Sequence, residues 1–145
     1  MHRTEDAALL TGRLLMAALF LPGGIMKALG FSAFAASLAD KGLPSPELWA
    51  AAAVLIEVLA PIALLAGVLP RTTALLLFAF TVAATATSHR YWEFAEPARR
   101  AQEINFFKNM GLLGGMLFYF VSGPGTWRVH SRAQHEESAD HRVAA

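Results

Sequence analysis

The residue best placed to do chemistry in this sequence is a lone carboxylate. Glu57 stands near the middle of the apolar run LWAAAAVLIEVLAPIALLAGVL, residues 48–69. An ionised side chain at the centre of a membrane helix costs at least about 2.5 to 3.5 kcal/mol, so Glu57 is expected to face other helices, pair with a cation or carry a proton. Glu57 and His89 are the candidates for proton transfer, and Lys27, Lys108 and Asn109 the candidates for binding and orienting a polar group. A charged Glu57 beside Lys27 or Lys108 would anchor a polar ligand, whereas a neutral one with His89 nearby would pass protons to or from a bound quinol. The competing reading is structural: a buried ion pair or triad of Glu57, Lys27 and Lys108 that fixes helix register. Arg13, at the other end of its span, reads as a snorkelling anchor.

These residues need apolar helices to position them. The run around Glu57 has about 22 residues; at roughly 1.5 Å each it covers about 33 Å, enough for a hydrocarbon core of about 30 Å. Three further spans are expected, at 7–29, 72–88 and 105–121, which makes the fold all-α, an integral membrane up-down four-helix bundle. The first span is expected to be an uncleaved helix: Glu5 and Asp6 weaken the positive segment of a signal peptide, and the apolar run is too long for one. Pro22, Gly23 and Gly24 predict a kink or local unwinding in its second half. Between the first two spans, Phe31, Phe34, Ala35 and Leu38 have the spacing of a short amphipathic interfacial helix, stopped by Gly42. Ser45 is placed to cap the second span, with Pro46 at its first helical position.

Only Pro70 and Arg71 separate spans two and three, which must therefore be antiparallel neighbours. Thr81, Thr85, Thr87 and Ser88 can bond back to helix carbonyls or across to a partner. Tyr91, Trp92 and Phe94 read as an aromatic belt, Trp49 as another interfacial residue, and Pro97 breaks any helix running through 89–103. Gly111 and Gly115 read as packing positions that would also permit a second copy to associate. The bundle is expected to be a single domain over 1–127, followed by a polar, disordered tail at 128–145 whose histidines, His130, His135 and His141, suggest solvation over metal binding.

In such a bundle Lys27, His89, Lys108 and Asn109 gather at one end, above Glu57. Lysine and arginine divide evenly between the two sides: Arg3, Arg13, Arg71, Arg128, Arg132 and Arg142 against Lys27, Lys41, Arg90, Arg99, Arg100 and Lys108. Discounting Lys27 and Lys108 as helix-borne places both termini in the cytoplasm. The 145 residues are 55% hydrophobic and 16% charged, far from the roughly 25% charged of a soluble domain. A net charge of +1 argues against a nucleic-acid partner. With no cysteine there is no thiolate nucleophile, no cysteine-ligated cluster and no dithiol relay. No His pair has metal spacing on a helix and no haem ligand set stands out, so no metal site and no cofactor bound by this chain alone is expected.

Several motifs, in order, resemble the DoxX family of small four-helix membrane proteins. They are RLLMAALFLPGGIMK in span one, F-x-x-x-L-x-x-K-G-L-P at 34–44, the glutamate-bearing span ending in G-x-x-x-R at 67–71, the histidine and aromatics at 89–92, the KN pair at 108–109 and GPG at 123–125. The resemblance implies a cytoplasmic (inner) membrane protein tied to respiratory, sulfur or oxidative-stress metabolism. If catalytic, it would be the small subunit of a quinone-dependent oxidoreductase, with quinone as an exchangeable ligand and a redox partner protein supplying electrons. It also implies that Glu57, Lys27, His89, Lys108 and Asn109 form a polar site. The alternatives are a small-molecule transporter or lipophile-binding protein, and a non-catalytic membrane scaffold.

Overall fold

The computed structural model describes residues 2–129. The expectations for His130, His135, His141 and most of the tail therefore lie outside the described residues. Five α-helices follow one another: α1 (His2–Leu29), α2 (Phe31–Asp40), α3 (Pro46–Ala66), α4 (Pro70–Ser88) and α5 (Ala98–Ser122), with a 3-10 turn at Tyr91–Glu93 before the last. Helices α1, α3, α4 and α5 are each long and apolar enough to cross a membrane. Their outward faces carry Leu14, Leu15, Leu55, Leu59, Leu75 and Phe118, all exposed, as lipid-facing surfaces require.

Helix α1 packs chiefly on α3, and α4 on α5, with α3 and α4 joining the two pairs. The central core is Phe20, Ala60, Leu64, Ala74, Leu77, Met116 and Tyr119. The expected interfacial helix is α2; its Ala35 and Leu38 bury against Ala50 of α3. Hydroxyls of Thr81 and Thr85 return to the carbonyls of Leu77 and Thr81, as their helix positions suggest.

Several expectations need correction. Helix α1 begins five residues earlier than expected, and α5 seven earlier, so part of the charged stretch 89–103 forms the first turns of a helix. An Arg100–Glu103 pair one turn apart, 2.9 Å, supports that extension. Helix α3 stops at Ala66 because Gly67 takes a left-handed conformation, φ 69°. Ser45 sits at the cap position but its side chain makes no capping hydrogen bond, while Pro46 does open the helix. No unwinding occurs at Pro22–Gly23–Gly24, through which α1 stays helical. Arg128 and Val129, assigned to the tail, are held at the end of the bundle, where Val129 N–H bonds the Ala66 carbonyl at 2.8 Å.

The glycines of α1 have a packing role. A Cβ on Gly24 would lie 2.8 Å from the Glu57 Cβ and 3.0 Å from its backbone, so α1 and α3 touch here backbone to backbone. Pro61, one turn beyond Glu57, has no N–H to give the Glu57 carbonyl, and that carbonyl lies against Gly24. Gly24→Ala is expected to destabilise the protein by about 1 to 3 kcal/mol through overpacking. Gly111→Ala, with nothing within 4 Å of the added carbon, should be neutral or mildly stabilising. Chemical unfolding in mixed micelles distinguishes them; equal behaviour of the two variants would refute the close α1–α3 approach.

Candidate functional site

On α1, Arg13, Ala17, Phe20, Gly24 and Lys27 recur at helical spacing and line the face turned to α3. On α3 the matching face is Glu57, Ala60, Pro61 and Leu64. The absence of a side chain on Gly24 lets the Glu57 side chain run along α1 to Lys27, one turn on. The result is an ion pair, Lys27 Nζ to Glu57 Oε2, at 2.5 Å. Glu57 is 6% exposed, whereas about one third of the Lys27 side chain is accessible. The Lys27 ammonium also lies 5.4 Å from the ring centroid of Phe34 on α2 and 5.8 Å from that of Phe80 on α4. A partly desolvated cation close to two aromatic faces gains from both quadrupoles.

The five residues singled out in the sequence do not form one cluster of contacts. Lys27 and Glu57 pair. Asn109 is buried and donates to the Thr85 hydroxyl at 2.8 Å, tying α5 to α4. His89 closes α4, and its Nδ1 meets Gln102 Oε1 at 2.7 Å. Lys108 is exposed and donates to Asn105 on its own helix at 2.9 Å, so the expected ion triad reduces to a pair. Among the described residues no group of three His, Asp or Glu side chains could hold a metal ion.

A second polar centre closes the opposite end, and here the sequence reading of Arg13 is wrong. Arg13 is 1% exposed, buried rather than snorkelling. Its guanidinium donates to the Leu65 carbonyl at 2.9 Å and to the Trp127 carbonyl. The bond to Leu65 helps complete the end of α3, whose last four carbonyls need partners from elsewhere, and the bond to Trp127 ties in the segment after α5. The carbonyls of Ala63 and Leu64 accept from Val68 and Gly67 N–H in a Schellman motif; Leu65 takes Arg13, and Ala66 takes Val129. Asp6 accepts from the Thr126 N–H at 2.7 Å and from its hydroxyl. The segment after α5 is thus clasped by side chains from the first four turns of α1. The available signal was Asp6 and Arg13, seven apart and so on one helix face.

Comparison with known proteins settles the family. The DoxX family pattern matches residues 8–90. The chain belongs to the DoxX family. It is 33% identical over 124 residues to the inner membrane protein YphA of Escherichia coli (strain K12), covering 86% of this chain and 89% of that protein. It is 32% identical over 129 residues to the inner membrane protein YqjF of the same organism, covering 89% and 94%. No solved structure matches the chain. With four membrane-length helices and relatives of these names, this DoxX protein is a multi-pass membrane protein in contact with the lipid bilayer.

Proposed function

We propose that this DoxX protein is a quinone-linked accessory subunit of an oxidoreductase in the cytoplasmic (inner) membrane, with the Lys27–Glu57 pair as the point where the polar head of the quinone is held. The observation that carries this reading is a partly accessible ammonium set between two aromatic rings and backed by a buried carboxylate. Glu57 occupies one of the three N–H donors of Lys27, leaving donors for a ligand oxygen, and the Phe34 and Phe80 rings offer apolar faces to a flat head group. Quinone would supply two-electron, two-proton chemistry at that place. The chain's own part is to orient the head, exclude water and hold a proton-exchanging carboxylate within reach of a lysine donor.

His89 keeps a separate role in this reading. Its Nδ1 is engaged by Gln102, which fixes the ring at the α4 terminus and leaves Nε2 for proton exchange at the membrane surface. In this reading a redox partner protein supplies the electrons, since the chain has no cysteine to relay them. The test is extraction and mass spectrometry of lipophiles retained in mild detergent by wild type and by the paired variant Lys27→Met/Glu57→Leu. Quinone is expected in the wild-type extract and missing from a folded paired variant. Equal quinone in both, or none in wild type, would overturn the reading.

A further inference from the structure

A cavity of about 280 Å³ lies in the groove between α4 and α5, apart from the Lys27–Glu57 pair. Val82, Thr85 and Ala86 form its α4 wall; Phe106, Met110 and Leu113, on one face of α5 by their spacing, form the other. Small side chains at 85 and 86 leave the room. Val82, Ala86 and Met110 are exposed, so the groove opens where hydrocarbon surrounds the bundle. Its depth offers no free hydroxyl: that of Thr85 is already used, donating to the Thr81 carbonyl and accepting from Asn109. A water inside would need roughly two to four polar partners, so an apolar chain is what fills this space.

The head-group end differs. Arg90 and Trp92 line the cavity just beyond the end of α4. The Trp92 ring packs edge-to-face with Tyr91 and Phe106, at 5.2 and 5.9 Å between centroids, so this wall is set before a ligand arrives. Arg90 Nη1 meets Glu93 Oε1 at 2.9 Å, with both side chains about half exposed. Such a pair is weak, and Glu93 leaves most of the guanidinium N–H donors open. The mouth of an apolar groove thus presents one charge of each sign at the level of the lipid head groups.

We propose that this groove binds an acyl chain of a phospholipid with an ethanolamine head, its phosphate on Arg90 and its primary ammonium on Glu93. A purely anionic head would suit Arg90 and be repelled by Glu93, and a trimethylated one has no N–H to give the carboxylate. The site shares no residue with the quinone reading and is independent of it.

Native mass spectrometry tests this on protein extracted from vesicles of equal parts dioleoyl phosphatidylethanolamine, phosphatidylglycerol and phosphatidylcholine. Wild type is expected to retain the ethanolamine lipid about two- to five-fold over either of the others, the range an exposed charge pair supplies. Glu93→Gln should erase the preference over phosphatidylglycerol, and Arg90→Gln should lower retention of all three. Ala86→Phe and, separately, Val82→Phe add a ring to the groove from exposed positions, and either variant, helical by circular dichroism, should lose the lipid. Arg71→Gln removes an exposed cation at the other end of α4 and should change nothing. Equal retention of the three lipids, or an excess of phosphatidylglycerol, would overturn the head-group assignment. Lipid kept by both folded ring variants would overturn the groove as the site. Quinone retained in place of phospholipid, and lost with the ring variants, would overturn the occupant.

Discussion

Lys27→Met is expected to destabilise this DoxX protein by about 3 to 5 kcal/mol, the usual cost of leaving one member of a buried ion pair alone. Glu57→Gln should cost distinctly less. The asymmetry follows from exposure: the Glu57 side chain is 8% accessible and cannot leave the α1–α3 interface, whereas that of Lys27 is 32% accessible and has a four-carbon stem with which to reach water. The paired replacement Lys27→Met/Glu57→Leu removes both charges at similar volume and should return to within about 1 kcal/mol of wild type. Unfolding by sodium dodecyl sulfate in mixed micelles, followed by fluorescence of the three tryptophans, reads all four proteins. Two neutral single variants would mean that the pair is solvated. The paired variant then carries the functional question. A pair serving register alone predicts that it keeps every ligand, whereas a head-group site predicts a folded protein that has lost one.

The expected fold follows from hydropathy because a membrane solvent leaves little choice: four apolar runs of sufficient length, short connections and satisfied backbones permit little besides a helix bundle. Lys27 with Glu57 was legible for a related reason, since a mid-span carboxylate must find a partner and Lys27 was available at the right level. Lys108 with Asn109 shows where legibility ends. Adjacent helix residues point about 100° apart, so only one of the two can enter the core. Asn109 enters, its amide meeting the Thr85 hydroxyl, and Lys108 turns to Asn105 at the surface. Nothing local decides that choice; it is set by which face of α5 meets α4.

Arg13 was misread because hydropathy puts the start of the first span too late. With the span starting at residue 7, Arg13 stands near an interface; with α1 running from His2, it stands three turns inside a helix. Its partners come from Leu65 and Trp127, far away in sequence. Cations near span ends are thus the residues on which a sequence reading of such a bundle is weakest: whether they snorkel or turn inward depends on acceptors supplied by distant carbonyls.

Arg13→Met is expected to lower stability by at least about 3 kcal/mol, because two carbonyl acceptors lose a charged donor in a closed environment. Removing the guanidinium leaves Leu65 as an open carbonyl at the end of α3 and releases the Trp127 segment that Arg13 and Asp6 hold to α1. Arg13→Lys should rescue little, since one ammonium cannot reproduce the planar fork that reaches both carbonyls. Gly67→Ala should approach the same defect from the other side: the residue has φ 69°, and its added carbon would lie 2.9 Å from the Arg13 Nη1 and 2.7 Å from the Arg128 Cβ. Tyr119 provides the contrast. Its hydroxyl is buried and, among the described residues, finds no hydrogen-bond partner, so Tyr119→Phe should be neutral or raise stability by up to about 1 kcal/mol. The same detergent titration, with limited proteolysis to report release of the segment at 124–129, separates these outcomes. A stable Arg13→Met protein with an intact C-terminal segment would show that the Asp6–Thr126 bonds and the backbone bond from Val129 to Ala66 hold that end without Arg13.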